Sequence, residues 1–275
     1  MDKLYADILS LAEEAARRAG VFIREARKTG LHVDAKSRID FVSDKDLMSE
    51  SMIREMIREK FPDHIFFGEE SVSGLSPEEE AARIGSFREQ DFVWVVDPID
   101  GTVNYIRDYP QYAISIGVVH RLRIIAGVIY DPFRDELFSA LEGKGAFLNG
   151  RPIRVSEAKE AGDAIINTSM PTNNMKTRAD MVSRIPPVSE SFQGMRIWNC
   201  AAVSLASVAC GRSDADYEAG IHLWDMAAGI ILVREAGGEV TQMDGLPCAL
   251  TQTNVLATNG RVHTAAVRAL NAKKG

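Results

Sequence analysis

Carboxylate side chains stand beside three apolar segments that lie far apart in the sequence. The segments are FVWVV at residues 92–96, IFF at 65–67 and the helix-like WDMAAGIILVREA at 224–236. The acidic residues beside or within them are Glu69, Glu70, Asp97, Asp100 and Asp225. If the fold brings four of them together, all except Glu70, their mutual repulsion is very unfavourable unless cations neutralise it.

The ligand chemistry of such a cluster indicates the class of cation. Hard oxygen ligands without a neighbouring histidine or thiolate favour Mg²⁺, with Mn²⁺ as a substitute, over zinc. Two such ions about 4 Å apart polarise a phosphoryl oxygen, lower the pKa of a bound water and stabilise the leaving oxygen. Gly101 and Thr102 follow Asp100, and a glycine at the start of a helix lets backbone N–H groups approach an anion.

Each acidic motif also has an ordinary structural explanation. The stretch DPID followed by Gly101 is a good turn sequence with solvated aspartates. The pair Glu69-Glu70 is typical of a solvated loop, and an aspartate before a helix is typical of an N-cap, as at Asp225. Their joint occurrence, each beside an apolar segment, favours a metal site.

Hydrophobic periodicity predicts the elements that must position these residues. The predicted helices are 3–28, 45–60, 200–210 and 224–236. The predicted strands are 64–67, 92–96, 112–119, 123–130, 239–243 and 253–257, with a hairpin over 136–155 that turns at Asn149-Gly150. Residues 71–91 form an insertion with a short helix at 76–82, which we expect to be a solvated excursion. The pattern predicts layered α and β structure in one cooperative unit.

The composition of the 275 residues excludes several classes of protein. A net charge of −7 argues against direct nucleic-acid binding, which needs a clustered basic face. Three cysteines without C-x-x-C spacing argue against a disulfide framework or a zinc site and favour a reducing cytoplasm. No apolar run approaches the roughly 20 residues of a membrane span, and the acidic N-terminus is not a signal peptide.

Two long motifs carry a specific resemblance. DPIDGTVNY at 97–105 and WDMAAG at 224–229 resemble the two signatures of the inositol monophosphatase family. The resemblance covers nearly the whole chain, through KSRIDFVSDKD at 36–46, GEES at 68–71, GAFLNG at 145–150 and EAGIHLWD at 218–225. It implies an α+β fold, the layered αβαβα sandwich shared with fructose-1,6-bisphosphatase, in a single catalytic domain over 1–275. It also implies a homodimer with Mg²⁺-dependent, lithium-sensitive hydrolysis of small phosphomonoesters.

The resemblance also assigns roles to individual residues. The first metal would be held by Glu69, Asp97 and the carbonyl of Ile99, and the second by Asp97, Asp100 and Asp225. The catalytic residues would be Asp46, Glu69, Glu70 and Thr102. Thr102, paired with Asp46, would orient or deprotonate the attacking water, and Glu70 would support the metal-bound waters. The substrate would be bound by Asp100, Gly101, Thr102, Ala201, Glu218 and Asp225. Lys36 would lie on a mobile lid.

The identity of the substrate stays open at this point. Inositol monophosphate is the first choice, cleaved by direct in-line attack of metal-activated water. Fructose-1,6-bisphosphate, histidinol phosphate, NADP and nucleotide 3′-phosphates are alternatives, because Trp198-Asn199-Cys200 depart from the family pattern in one wall of the pocket. A role as a binding partner of transcription machinery is an alternative of another class. The alternative for Glu218 is an exposed turn acid beside Gly220. For His222 we expect packing or hydrogen bonding rather than catalysis.

Overall fold

The computed structural model of the protein describes residues 2–35, 41–171 and 174–272. Lys36, which the resemblance assigns to a lid, lies outside the described residues. The helices are α1 (Asp2–Ala26), α2 (Asp44–Lys60), α3 (Pro77–Gly85), α4 (Thr102–Arg107), α5 (Met175–Ser191), α6 (Ala201–Ala209), α7 (Leu223–Glu235) and α8 (His263–Leu270). The strands are β1 (Val33–Ala35), β2 (Phe41–Ser43), β3 (Ile65–Gly68), β4 (Phe92–Asp100), β5 (Ala113–His120), β6 (Arg123–Asp131), β7 (Glu136–Leu141), β8 (Gly145–Leu148), β9 (Arg151–Ile153), β10 (Ile165–Thr168), β11 (Gly194–Ile197), β12 (Ala215–Ala219), β13 (Glu239–Thr241) and β14 (Asn254–Thr258).

Two large sheets form the frame. Strands β3 to β9 make a seven-stranded sheet in sequence order, in which only β3 and β4 are parallel neighbours. The second sheet has the order β11-β10-β12-β14-β13, with β10 parallel to both of its neighbours. The predicted turn at Asn149-Gly150 joins β8 to β9, and both residues have positive φ, as such two-residue turns require.

Alternation along β4 shows how the layers are built. Trp94 and Val96 face the core that α1 and α2 form on one side of the seven-stranded sheet. Val93 and Val95 face the opposite core, which α6 and α7 fill between the two sheets. The small residues of this middle layer allow close approach, since a Cβ at Gly127 would lie 2.5 Å from Ile231 Cγ2.

Helices α5 and α8 cover the outer face of the second sheet. Met181 and Val188 of α5 and Ala266 of α8 pack there against strand residues such as Tyr217. The five layers are therefore α1/α2, the seven-stranded sheet, α6/α7, the five-stranded sheet and α5/α8, and the expected αβαβα sandwich is confirmed.

Two expectations need correction. The strand over 92–96 continues to Asp100, so Asp97 and Asp100 lie within β4 rather than after it. The insertion contains the predicted helix, α3, capped by Ser76, but the segment is not simply a solvated excursion. Ile84 and Phe87 are 5% and 6% exposed, because they pack into the core between the sheets. Within the described ranges, no helix combines the length and apolar character that crossing a membrane requires.

Candidate active site

The site begins at an irregularity in β4. Asp97 pairs with Ser115 of β5 and Asp100 pairs with Ala113, so three steps along β4 match two steps along β5. In a regular strand, side chains three positions apart point to opposite faces. The extra residue of this bulge, next to Pro98, lets Asp97 and Asp100 share one side, because a bulge re-aims the side chains that follow it.

Three of the predicted carboxylates converge at this bulge. Asp225, in the first turn of α7, offers an oxygen that lies with oxygens of Asp97 and Asp100 within 4.8 Å of one another. Glu69 is outside this set of three, in the loop after β3, where its N–H bonds to the carbonyl of Val96. The Glu69 charge nevertheless contributes to raising the pKa of Asp97.

Backbone N–H groups orient each member of the cluster. The N–H of Ile99 donates to Asp97 Oδ1 at 2.9 Å, and the N–H of Ala202 donates to Asp100 Oδ2. The N–H of His222 donates to Asp225 Oδ2 at 2.7 Å. These bonds come from a strand bulge, the start of α6 and the start of α7. Because an N–H donor favours the ionised carboxylate, these bonds make the charged form of the three groups less unfavourable.

Burial and mutual repulsion oppose that ionisation. Burial raises the pKa of Asp97 well above its usual range, and the charges of Glu69, Asp100 and Asp225 raise it further. Burial and then the Asp225 charge raise the pKa of Asp100 to about 7, and burial also raises the pKa of Asp225. A divalent cation bound to these oxygens would replace the protons. The donor set therefore fits a hard cation such as Mg²⁺ or Mn²⁺.

Thr102 and Asp46 form a second polar unit next to this cluster. Thr102 Oγ1 lies 3.3 Å from Asp46 Oδ1 and 3.0 Å from the carbonyl oxygen of Ile99. The other carboxylate oxygen of the fully buried Asp46 accepts the N–H of Ser43 at 2.8 Å and also its hydroxyl. Ser43 thus fixes Asp46, which leaves Oδ1 as the acceptor for the Thr102 hydroxyl.

Glu50 is a supporting residue that the sequence analysis missed. Its buried carboxylate accepts the N–H of Glu70 at 2.7 Å and that of Ser71 at 3.3 Å, and so holds the loop that carries Glu69 and Glu70. A sequence signal was present. Asp46 and Glu50 are in helical phase with the apolar residues of 45–60, so two acids occupy the inward face of α2.

The turn from β4 into α4 requires a glycine at position 101. Gly101 has φ 84°, and a Cβ there would lie 2.7 Å from the carbonyl oxygen of Gln111. Its neighbour across the site is the start of α6, where Ala201 is buried and the Cys200 thiol lies 3.4 Å from Asp100 Oδ2. Burial raises the pKa of Cys200 well above its usual range, so this thiol is neutral and a poor nucleophile.

Glu218 lies within β12, and its side chain is 1% exposed, so it is not an exposed turn acid. Ser169 Oγ donates to Glu218 Oε1 at 2.8 Å. Asp216, two residues earlier on the same face, is fully buried, and among the described residues no N–H or hydroxyl group bonds to its oxygens. Its side-chain hydrogen-bond partner is the Glu218 carboxyl. Burial raises the pKa of Asp216 to about 8, and burial together with the Asp216 charge raises that of Glu218 well above its usual range.

His222 is a packing and hydrogen-bonding residue, in line with the prediction. Its ring stacks on Trp224 with centroids 4.5 Å apart, and its Nδ1 lies 2.7 Å from Glu80 Oε2 of α3. Burial lowers the pKa of His222, but the Glu80 bond and the nearby carboxylates outweigh burial and raise it to about 9. No local pattern indicates that Glu80, 142 residues away in the chain, is the partner of His222.

Fold and acidic site together describe a layered α+β protein in which three carboxylates could hold a metal ion. A model of the inositol monophosphatase family matches residues 4–274. The protein named inositol monophosphatase 3 from Solanum lycopersicum is 38% identical over 266 residues, 96% of each chain. The chain therefore belongs to the inositol monophosphatase family.

Bacterial relatives with a different name are equally similar. The protein named Nus factor SuhB from Xylella fastidiosa is 40% identical over 239 residues, 86% of this chain and 82% of that one. The crystal structure of the extragenic suppressor protein suhB from Bartonella henselae superposes with a TM-score of 0.87 at 33% identity, over 98% of this chain and 100% of that chain.

Proposed function

We propose that the protein is a Mg²⁺-dependent phosphomonoesterase whose first-choice substrate is inositol monophosphate. The observation that carries the proposal is the convergence of Asp97, Asp100 and Asp225 within 4.8 Å, in a member of the inositol monophosphatase family. Oxygen ligands of this kind favour Mg²⁺ or Mn²⁺ over zinc. The family resemblance adds Glu69, the carbonyl of Ile99 and lithium sensitivity to the proposal.

The three aspartates would hold the cations, and Glu69 and Glu70 would complete their surroundings. Bound cations would polarise the phosphoryl group, lower the pKa of water and stabilise the leaving oxygen. The bonds from Ile99, Ala202 and His222 keep the carboxylates in place during turnover, so that little reorganisation is needed. The backbone N–H groups of Gly101 and Thr102 would receive the phosphate.

Thr102 is the residue that orients the attacking water in this proposal. Its hydroxyl has one proton, which it donates either to Asp46 or to the carbonyl of Ile99. When the proton goes to Asp46, the Thr102 oxygen remains able to accept a hydrogen bond from water. Water would then attack phosphorus in line with the alcohol oxygen, so that the new P–O bond forms as the bond to that oxygen breaks, without a phosphorylated side chain. One proton of the water would pass toward Thr102 and Asp46, and the departing alkoxide would take up a proton from solvent. The neutral thiol of Cys200 agrees with this route.

Ala201 and Glu218 would contact the alcohol part of the substrate. Glu218 is buried beside Asp216, and its raised pKa favours a protonated carboxyl that both donates to and accepts from a hydroxyl. A polyol phosphate such as inositol monophosphate supplies such hydroxyls. The alternative substrates are fructose-1,6-bisphosphate, histidinol phosphate, NADP and nucleotide 3′-phosphates.

The deciding experiment measures phosphate release from a panel of these phosphorylated metabolites. With Mg²⁺ or Mn²⁺ we expect the highest kcat/KM for inositol monophosphate, and no release in EDTA. Calcium should support little turnover, because its larger and more flexible coordination sphere holds the reacting groups less strictly. Full activity in EDTA contradicts the metal centre, whereas a different best substrate corrects only the choice of alcohol.

A binding role is the second candidate, since relatives named Nus factor SuhB are as similar as the plant enzymes. The matching experiment compares proteins captured from native lysate by the wild-type protein and by the Asp97→Asn variant. Equal capture of transcription proteins by both supports a role independent of catalysis, and no capture removes this candidate.

The remaining parts of the proposal concern the whole molecule. The family match over residues 4–274 supports one catalytic domain, and the three unpaired cysteines support a reducing, cytoplasmic location. Exposed apolar side chains at Tyr109, Phe133 and Ile197 support a homodimer. Sedimentation analysis of wild type and of Phe133→Asp tests the homodimer, and a wild-type monomer would contradict it.

A further inference from the structure

Helix α3 lies in the long segment between β3 and β4. Its first turn and the residues that follow it contact side chains next to the candidate active site. Phe87, just after the helix, packs edge-on against Phe67 with ring centroids 5.6 Å apart. Phe67 in turn lies 5.7 Å from the ring of Trp224, next to the candidate metal ligand Asp225. At the other end of the helix, Glu80 reaches His222. The helix is therefore part of the wall behind the site.

Glu80 differs from the other acids of its helix. Glu78 and Glu79 are exposed, whereas the Glu80 side chain is only 13% exposed and its Oε2 lies 2.7 Å from His222 Nδ1. A carboxylate only accepts hydrogen bonds, so Nδ1 of His222 carries the hydrogen that joins the two side chains. A charge-assisted bond in this partly buried place is stronger than an ordinary surface pair.

Two contacts hold the imidazole ring of His222, and the backbone of the same residue bonds to Asp225. Its ring is stacked on Trp224 with planes 6° apart, while Glu80 fixes the rotation of the ring about its side-chain bonds. The backbone N–H of the same residue donates to Asp225 Oδ2 at 2.7 Å. Because the ring and this N–H belong to one residue, we expect His222 without its Glu80 bond to hold the donor to Asp225 less firmly.

We infer that Glu80 is a positioning residue for the metal centre, acting through His222 on the orientation of Asp225. The inference rests on the proposed function, because it assumes that Asp225 binds a cation. It assigns to the insertion a role in metal affinity rather than in chemistry. Residues that orient metal ligands typically change metal affinity by about 10- to 100-fold when they are removed.

The test measures Mn²⁺ binding by calorimetry for wild type, Glu80→Ala, Glu80→Gln and the matched surface control Glu78→Ala. We expect the Kd for Mn²⁺ to rise about 10-fold in Glu80→Ala and to stay at the wild-type value in Glu78→Ala. Glu80→Gln keeps an acceptor oxygen in a side chain of the same shape and should recover part of the affinity. The kcat at saturating Mg²⁺ should be unchanged in the surface control Glu78→Ala.

A second readout uses the metal-free protein. Hydrogen exchange of the His222 amide should be faster in Glu80→Ala than in wild type, because its bond to Asp225 is less well held, and unchanged in Glu78→Ala. Equal Kd values for wild type and Glu80→Ala, or an equal loss in Glu78→Ala, would overturn the inference. Absence of Mn²⁺ binding by wild type would instead overturn the proposed metal centre, and the inference with it.

Discussion

Two groups of buried carboxylates lie in the middle of this protein, and they are built differently. Asp97, Asp100 and Asp225 each accept a backbone N–H, whereas the fully buried Asp216 accepts no N–H from the described residues and bonds instead to the Glu218 carboxyl. Burial raises the pKa of acids in both groups, to about 7 for Asp100 and about 8 for Asp216. Raised pKa values alone therefore do not distinguish a metal centre from a protonated acid pair.

The difference lies in the donors. A carboxylate that accepts N–H bonds is aimed with its charge intact, as a ligand must be. A buried acid without a donor lowers its free energy by keeping its proton. Asp216 lacks an N–H donor and shares a hydrogen bond with Glu218, so this pair is expected to remain partly protonated near neutral pH and to bind neutral hydroxyls, while the first group binds cations.

The largest effect should come from removing one charge of the first group. Asp97→Asn keeps the shape but removes the carboxylate on which the charges of Glu69, Asp100 and Asp225 act, so we expect a loss of about 10³-fold or more in kcat. Stability of the metal-free protein should hold or rise, because repulsion is relieved. The control is Asp163→Asn at an exposed position. An unchanged rate would place the chemistry elsewhere.

The next effect concerns the water. Thr102→Ala should lower kcat by about 10²-fold with a smaller change in KM, because the group that orients the nucleophile is lost. Thr102→Ser keeps the hydroxyl beside Asp46 and should recover most of the rate. Steady-state kinetics of the two variants measure this difference. A burst of product release, or a trapped phosphorylated side chain, would argue against direct attack by water.

The acid pair should reveal itself in the pH dependence of stability. The folded-state pKa of Asp216 is raised to about 8, so the folded protein holds a proton that the unfolded chain releases near pH 4. The contribution of Asp216 to the free energy of unfolding is thus fully present below about pH 4 and is lost as the pH rises through 8. Between pH 5 and 8, metal-free wild type should lose on the order of 3 kcal/mol more stability than Asp216→Asn.

Urea unfolding in EDTA at several pH values measures how the free energy of unfolding changes with pH. The control is Asp163→Asn, which should follow wild type. Parallel curves for wild type and Asp216→Asn would mean that Asp216 is ionised across the range, and the contrast between the two groups would disappear.

The smallest effect concerns the alcohol. Glu218→Gln should weaken kcat/KM for inositol monophosphate by about 1–3 kcal/mol, because hydrogen bonds to substrate hydroxyls are lost. The rate with p-nitrophenyl phosphate, which has no such hydroxyls, should be nearly unchanged. Equal losses with both substrates would assign Glu218 to the metal centre or the fold.

The sequence predicts the parts of this protein that are local in the chain. Asp97 and Asp100 follow a continuous apolar run, and α1 has clear helical periodicity, so both are accessible to pattern analysis. Helix α5 was not predicted, because Pro186 and Pro187 lie inside it and such residues normally argue against a helix. The strands beside it, β10 and β11, are four residues long and carry little pattern.

The parts of the site that the sequence does not predict depend on contacts between segments that are distant in the chain. Glu80 meets His222 across 142 residues, and no local pattern near Glu80 indicates that partner. The burial of Asp216 likewise follows from the second sheet and the helices that cover it, not from its neighbours in sequence. Glu50 is the exception, because the helical spacing of α2 in the sequence places it on the same face as Ile53 and Ile57, which point into the core.

Direct measurement of Mn²⁺ binding to wild type, Asp97→Asn and Asp216→Asn tests the distinction between the two groups most directly. Binding isotherms without substrate report on the carboxylates alone. We predict that wild type and Asp216→Asn bind Mn²⁺ with the same affinity and that Asp97→Asn has lost it. Retained binding in Asp97→Asn, or loss of binding in Asp216→Asn alone, would contradict the assignment of the metal centre to the donor-oriented group.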